Sequence, residues 1–210
     1  MGTPVKRSYD ASGRQARAQE TRQRIIDVAH DLFIQPGYGR TTIADIARGA
    51  DVSVETIYSA FGNKAALLRQ VWYVRSRGDQ RDVPLLDRPE IQDMLAAPDL
   101  VTRLRRHAVV ITPVFRRIVP LHRALQAAAA TESSAADMVA EFDSRRSEVS
   151  AQYAKAAKTS GQLAVSAAEC RDIFYATLDG ALWHRMVHDR GWSDKRFAAF
   201  LGDIWVSSLT

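Results

Sequence analysis

The stretch SVETIYSAFGNK, residues 53–64, decides the fold of this chain. Ser53 is a favourable helix N-cap, and Glu55 places a carboxylate in the first turn, near the positive end of the helix dipole. Gly62 ends this helix after about two turns. Lys64 begins the next helix. The stretch is therefore predicted to be a short helix between two breaks, and the question is what its exposed side contacts.

The predicted short helix has two different faces. Ile57, Ala60 and Phe61 are expected to face inward. The outer face then carries Val54, Glu55, Tyr58 and Ser59. A small, polar outer face fits a helix that lies in the DNA major groove, which is about 12 Å wide. Short capped helices also occur in any helical protein, so the pattern alone leaves DNA binding as one of two interpretations.

Two further helices are expected before this one. From Thr21 the apolar residues follow a helical period, which Pro36 stops. A second helix is predicted at about 42–49, where Thr42 and Asp45 fit a capping box. A helix, a tight turn and a second helix form the helix-turn-helix plan, in which the second helix enters the major groove.

The rest of the chain shows Ala-rich helical segments and no convincing strand pattern. A loop or a set of short turns is expected at 78–98. Pro113 and Pro120 are expected to kink or split their helices. The further helices are predicted at 99–118, 120–130, 134–160, 166–190 and 193–208. The fold class is therefore predicted to be all-α.

Three segments are expected along the chain. They are a flexible basic arm at 1–18, a helix-turn-helix DNA-binding domain at 19–64 and a larger helical domain at 65–210. The cations of the arm are Lys6, Arg7, Arg14 and Arg17. The arm either lies in the minor groove, as arms of other binding domains do, or is a disordered tail that favours solubility.

The composition indicates a globular protein of the cytoplasm. The 210 residues carry a formal net charge of +5 and a pI of about 9.6, which suits a polyanionic partner. Cys170 is the only cysteine, which fits a reducing compartment and excludes a disulfide within the chain. No stretch approaches the roughly 18 apolar residues of a membrane span, and the start lacks a signal-peptide pattern.

Two segments, TRQRIIDVAHDLF and GYGRTTIADIARGADVSVETIYSAFGNKAALL, carry a family resemblance. The matching residues are Thr41, Thr42, Ile46, Ala47, Ala50, Val52, Ser53, Thr56, Ile57, Tyr58, Phe61, Lys64, Leu67 and Leu68. On these positions, residues 21–72 resemble the N-terminal domain of the TetR family of bacterial transcriptional repressors. Asp51 departs from the glycine usual in the family, and Glu55 puts a carboxylate near phosphates, where it accepts from a cytosine or repels wrong sites.

The resemblance implies a role for each matching residue. The residues expected to contact phosphates are Tyr38, Thr42, Thr56, Tyr58 and Lys64. The residues expected at base edges are Ala44, Val54, Glu55 and Ser59. The resemblance also implies a homodimeric repressor in the bacterial cytoplasm, associated with the nucleoid when it binds a palindromic double-stranded DNA operator.

The larger domain is expected to dimerise and to hold a small-molecule effector, apolar or aromatic, that releases the operator. The candidate pocket residues are Trp72, His107, Phe115, His122, Phe142, Tyr175 and Trp183. The candidate dimer residues are Phe174, Thr177, Ala181, Phe197, Leu201 and Ile204. Gly180 would permit close helix approach in that interface. The other interpretation is that these apolar stripes face the chain's own core.

Two alternatives remain beside the effector-controlled repressor. A protein partner, with no small effector, would control the same DNA-binding regulator. A metal-dependent enzyme would use His184 and His188, whose spacing in HRMVH suits a metal. However, Arg185 stands where a zinc peptidase needs glutamate, and no third ligand is evident. We therefore expect no catalysis, no cofactor and no metal.

Overall fold

The structure is a computed structural model that describes residues 11–78, 83 and 87–210. Within these ranges the chain forms helices and no strands, as the all-α prediction requires. The helices are α1 Ala11–Leu32, α2 Ile43–Ala50, α3 Val54–Phe61, α4 Lys64–Arg77, α5 Pro89–Leu95, α6 Leu100–Ala129, α7 Ser133–Lys158, α8 Ala167–Thr177, α9 Ala181–Trp183 and α10 Asp194–Leu209. None of these described helices is long and apolar enough to cross a membrane.

The chain forms two compact units, one ending at Val71 and one beginning at Trp72. The boundary lies inside α4, whereas the sequence placed the domain boundary before residue 65. Leu67, Leu68 and Val71, on the first half of α4, are buried in the core of the first unit. A single helix therefore supplies residues to both units.

The N-terminal segment differs from the prediction of a flexible arm at 1–18. Helix α1 begins at Ala11, so Arg14 and Arg17 lie on a helix, and the Arg17 Nε donates to the Gly13 carbonyl at 3.2 Å. The segment from 13 to 20 is mostly exposed, so strong helix formers, rather than burial, account for this turn of helix. Lys6 and Arg7 lie outside the described residues.

Helix α6 is continuous through both prolines, which the sequence predicted to split it near residue 119. Each proline removes one backbone hydrogen bond from the helix. The carbonyl that Pro113 leaves without its helical donor is that of Val109, which is 62% exposed, so water reaches this side of the helix. Packing against α7 and α10 holds the helix straight enough to continue.

Two other segments were predicted with the wrong elements. The predicted loop at 78–98 contains α5, with Ile91 and Met94 buried. The helix predicted at 166–190 is broken at Gly180, where φ is +80°. Helix α9 then continues into a wider π-helical turn at His184–Asp189.

Half of the predicted dimer residues are buried in the aromatic core of the larger unit. Phe174, Phe197 and Leu201 are at most 1% exposed and pack inside their own chain. Gly180 is also buried, and a Cβ there would lie 2.3 Å from the Val119 Cγ2 atom, so within the chain its close approach is to α6. Cys170 is buried, and burial raises the pKa of its thiol to about 11.

Candidate nucleic-acid interface and ligand cavity

Helix α2 begins with the capping box that the sequence predicted. The Asp45 backbone N–H donates to the Thr42 Oγ1 at 3.1 Å, and the Thr42 backbone N–H donates to the Asp45 Oδ2 at 3.0 Å. The Thr42 hydroxyl also donates to Asp45, and these hydrogen bonds lower the pKa of that carboxyl. The hydrogen bonds of the Thr42 side chain thus stabilise the start of α2.

The turn between α2 and α3 depends on Asp51 and Ser53. Asp51 is left-handed, with φ 52° and ψ 53°, and its N–H donates to the Ala47 and Arg48 carbonyls. Ser53 then caps α3, because the Thr56 backbone N–H donates to its Oγ at 3.2 Å. The Ser53 and Thr56 hydroxyls are 3.1 Å apart, so Thr56 also has a capping role.

The outer face of α3 is exposed as expected. Glu55, Thr56 and Ser59 are exposed, Tyr58 is 50% exposed, and Val54 is half-buried. Ala44 on α2 is exposed too. The inner face rests on Ile57 and Phe61, one turn apart.

Ala60 was predicted to face inward, and it is exposed instead. Ile57 and Phe61 fill the inward stripe of this eight-residue helix, so Ala60 lies at the edge of that stripe.

Glu55 is held as a carboxylate at the start of α3. Hydrogen bonds from its own backbone N–H and from the Ser53 side chain lower its pKa. It is therefore an acceptor only, in a position near the positive end of the helix dipole. Such a group accepts from an amino group and repels phosphate.

Tyr38 differs from the expected phosphate contact. Its ring is 1% exposed and packs edge-on against Phe33, with centroids 5.1 Å apart. The Lys64 Nζ lies 4.1 Å from the Tyr38 ring centroid, a cation–π distance. Tyr38 therefore positions Lys64 at the start of α4 from within the core. The Asn63 side chain caps the same helix by accepting from the Ala66 N–H at 2.8 Å.

Two arginines of α1, which the sequence pattern does not indicate, stabilise the helix-turn-helix motif. The Arg24 Nε donates to the Ala50 carbonyl at 2.8 Å, at the end of α2. Arg22 donates to the Ala60 carbonyl at 3.0 Å, near the end of α3. Carbonyls at helix C-termini carry partial negative charge, so these cations stabilise both ends. A polar residue on an amphipathic helix gives no periodic signal of its tertiary contacts, so the sequence does not predict the roles of Arg22 and Arg24.

The larger unit contains a cavity of about 710 Å³. It is lined by α4 from Trp72 onward, by α5, α6 and α7, and by the turn after α8. Its apolar lining includes Val110, Ile111, Val114, Ile118 and Val149. The volume is within the range of sites for drug-sized molecules.

Four of the seven predicted pocket residues line this cavity: Trp72, His107, His122 and Phe142. Trp72 and Phe142 stack with centroids 3.6 Å apart and an interplanar angle of 13°. The other three predicted residues do not line the cavity. Phe115 packs in the core near Phe197, Trp183 is buried with its Nε1 donating to Asp194, and the Tyr175 ring lies under the Arg146 guanidinium.

The two cavity histidines are buried and neutral. His107 is 2% exposed, and burial lowers its pKa to about 3. His122 is 6% exposed, and burial is the largest cause of its lowered pKa. The His107 Nε2 and the His122 Nδ1 have no hydrogen-bond partner.

The HRMVH pair has a third potential ligand, Asp189, that the sequence pattern does not indicate. His184, His188 and Asp189 bring one ligand atom each within 4.8 Å of one another. The π-helical turn gives this proximity, since its wider winding brings positions four and five residues apart to one side. The Asp189 Oδ1 lies 3.0 Å from the His188 Nδ1 and 3.5 Å from the His184 Nε2. None of the three lines the described cavity.

Comparisons with known proteins find matches within the first unit. The family profile described as bacterial regulatory proteins, tetR family, matches residues 25–71. The HTH-type transcriptional regulator AcrR of Shigella flexneri is 46% identical over 55 residues, 26% of each chain. TtgR of Pseudomonas putida is 50% identical over 52 residues, 25% of each chain. These matches span about a quarter of the relatives' length.

Solved structures share the fold over most of the chain. A TetR-family regulator from Syntrophomonas wolfei superposes with a TM-score of 0.69 at 18% identity, covering 90% of this chain and 94% of the other. FadR from Bacillus subtilis, solved in complex with stearoyl-CoA, superposes with a TM-score of 0.64 at 16% identity, covering 90% and 99%. At this identity the likeness shows a common fold.

Proposed function

Because residues 25–71 of this chain form a TetR-family N-terminal domain, we propose that the protein is a transcriptional repressor that binds operator DNA through α3. The observation that carries the proposal is the exposed face of α3, with Glu55, Tyr58 and Ser59 outward and the opposite side buried. This face follows a fixed turn, as a recognition helix does. The net charge of +5 favours a polyanionic partner.

The proposed contacts fall into two classes. Tyr58, Lys64 and the first backbone N–H groups of α2 and α3 contact phosphates. Thr42 and Thr56 act at those helix starts, where their side chains maintain the caps. The side chains proposed at base edges are Ala44, Val54, Glu55 and Ser59. Tyr38 acts through Lys64.

A homodimer on a palindromic operator is part of the proposal. Successive major grooves on one side of the duplex are about 34–36 Å apart, so a two-fold dimer places one α3 in each. The dimer surface would use the outward sides of α8 and α10, where Tyr175 is 39% exposed and Ile204 is half-buried. Such a dimer acts in the cytoplasm, at the nucleoid.

We propose that a small molecule in the cavity of the larger unit controls DNA binding. The about 710 Å³ cavity favours a ligand over control by a protein partner alone. Helix α4 lines it with Trp72 and Tyr73, and the same helix begins in the DNA-binding unit at Lys64. The effector must bind the released state better than the DNA-bound state, because equal affinity shifts nothing.

A regulatory role fits better than catalysis. The His184, His188 and Asp189 cluster lies on an exposed turn outside the cavity lining, with the His188 side chain 65% exposed. A catalytic metal site needs a shaped cavity that excludes water.

The first test is binding of the purified protein to DNA from upstream of its own gene. Scrambled DNA is the control, and salt is varied. A protected palindrome that binds far tighter than the control supports the proposal and gives a release assay for effectors. Failure to bind any DNA, even at low salt, would show that the exposed face of α3 does not read a groove.

A further inference from the structure

A cluster of metal-ligating side chains lies on the π-helical turn after α9. His184, His188 and Asp189 each bring one ligand atom within 4.8 Å of the other two. Among the residues that the structure describes, no other group of three histidine, cysteine or acidic residues has this proximity. Two imidazoles and a carboxylate form a donor set that binds zinc in proteins and leaves a fourth position for water. The structure thus supplies the third ligand that the sequence pattern lacks.

The distances within the cluster fit a tetrahedral ion. Zinc bonds of about 2.0–2.1 Å place two ligand atoms about 3.3 Å apart. The Asp189 Oδ1 lies 3.5 Å from the His184 Nε2 and 3.0 Å from the His188 Nδ1, on either side of this value. One carboxylate oxygen therefore faces both imidazoles at nearly the spacing that a shared ion requires.

The imidazole rings must turn before they bind one ion. They stack with centroids 4.4 Å apart and an interplanar angle of 15°, whereas an ion lies in the plane of each imidazole that binds it. The His188 side chain is 65% exposed, and the histidine ring torsion has a broad energy profile, so its rotation costs little. The His184 side chain, 16% exposed, is the less mobile ligand.

Backbone hydrogen bonds hold the turn that carries the cluster. The His184 N–H donates to the Gly180 carbonyl at 2.9 Å, and the Trp192 N–H donates to the Met186 carbonyl at 3.0 Å. Because the three ligands are already on one side of an ordered turn, binding requires little further ordering of the chain, which lowers its entropic cost.

Arg123 on α6 places a positive charge near the cluster. Burial lowers the pKa of His184 most, and the Arg123 charge lowers it further. The same charge repels a cation, and the Asp189 carboxylate attracts one. Since Arg123 is exposed, solvent and salt weaken its effect. Arg123 therefore reduces the metal affinity of the cluster without abolishing it.

We propose that His184, His188 and Asp189 bind one divalent transition-metal ion of the zinc, nickel and copper class, with water in the remaining position. Imidazole donors select these ions over magnesium and calcium. The ion fastens the turn that precedes α10 and thereby stabilises the larger unit. The site is not catalytic, because its open position lies on an exposed turn and not in the described cavity. It does not depend on the proposed repressor function.

The test is isothermal titration of the full chain with zinc chloride, without a polyhistidine tag that would itself bind zinc. We expect one ion per chain to bind with micromolar affinity or tighter. Magnesium should not bind there, because it requires oxygen ligands. Zinc at a hundredfold excess over its Kd should raise the unfolding temperature by roughly 5 °C.

The substitutions His188→Gln and Asp189→Asn each remove one exposed ligand. Each should weaken zinc binding at least about tenfold, since even loss of an outer-sphere partner costs that much. Arg123→Gln should instead tighten it about two- to fivefold, because an exposed repulsive charge is removed. His30→Gln is the matched control. The His30 Nδ1 lies 2.9 Å from the Asp31 Oδ1, but this pair belongs to no described group of three, so zinc affinity should not change.

If a ligand variant does not fold, ring ¹⁵N shifts of labelled wild-type protein replace it, and two of the five histidines should respond to zinc. Three results would overturn the inference. They are no saturable zinc binding at micromolar concentrations, magnesium binding as tight as that of zinc, and zinc binding that is indifferent to His188→Gln and Asp189→Asn or leaves the shifts of that pair unchanged. Zinc binding by a protein that binds no DNA would retain the metal site and reject the proposed repressor.

Discussion

Asp51 places an L-residue in a left-handed turn, with φ 52° and ψ 53°. Asp tolerates this conformation better than most residues, and glycine adopts it without a Cβ penalty. We expect Asp51→Gly to raise the free energy of unfolding of the first unit by roughly 0.5–1 kcal/mol and Asp51→Ala to lower it by a similar amount. Urea denaturation of both variants measures the effect, and equal destabilisation by Gly and Ala would mean that the Asp51 side chain itself stabilises the turn.

Tyr58 and Glu55 are expected to affect DNA binding in different ways. Tyr58→Ala should weaken binding to all sequences by a similar factor, because a phosphate contact carries no base information. Glu55→Gln, which removes the charge but keeps the length, should change the preferred base pair by about 1–3 kcal/mol of discrimination. Affinities measured across a set of single-base operator variants decide this. Parallel, sequence-independent losses in both proteins would refute the separate roles.

At the element scale, Gly180 is subject to two constraints that the sequence alone does not reveal, a positive φ and close packing. Its φ is +80°, and a Cβ would lie 2.3 Å from the Val119 Cγ2. Gly161 has φ +69° with open space around the Cβ position, so it is a matched control for the backbone cost. We expect Gly161→Ala to cost about 1 kcal/mol and Gly180→Ala about 2–4 kcal/mol by thermal or urea unfolding. Equal costs would show that α6 yields without strain.

The elements of the DNA-binding unit were predictable from sequence because local signals determine them. Caps at Thr42 and Ser53 and the break at Gly62 gave α2 and α3 within about one residue. Elements of the larger unit depend on tertiary contacts instead. Helix α6 continues through Pro120, and the break at Gly180 lies where its φ is positive and an added Cβ would meet Val119.

The candidate sites were predictable to unequal degrees for a related reason. The two faces of the predicted helix gave the outward residues of α3, but the resemblance also included Tyr38, whose ring the structure places in the core. For the cavity, helical spacing shows that an aromatic residue lies on a given helix face, but not whether that face borders a cavity or packed core. The sequence therefore could not separate Trp72 and Phe142, which line the cavity, from Phe115 and Trp183, which do not.

At the scale of the whole molecule, His107 links stability to pH. Its pKa falls from 6.5 in the unfolded chain to about 3 in the folded one, so between these values the unfolded state binds more protons. The free energy of unfolding should therefore fall as pH decreases from about 6.5, by up to about 1.4 kcal/mol per pH unit. Urea unfolding from pH 7.5 to 4.5 measures it. His107→Phe should reduce the slope.

Cys170 has a practical consequence for measuring the proposed switch. It is the only cysteine in the sequence, it is buried, and the raised pKa keeps its thiol protonated and unreactive. Ser59→Cys would then give one accessible thiol on the outer face of α3, and a nitroxide spin label would attach there without removal of the native cysteine. Pulsed electron–electron double resonance between two such labels would report the separation of the recognition helices directly, in the presence and absence of operator DNA.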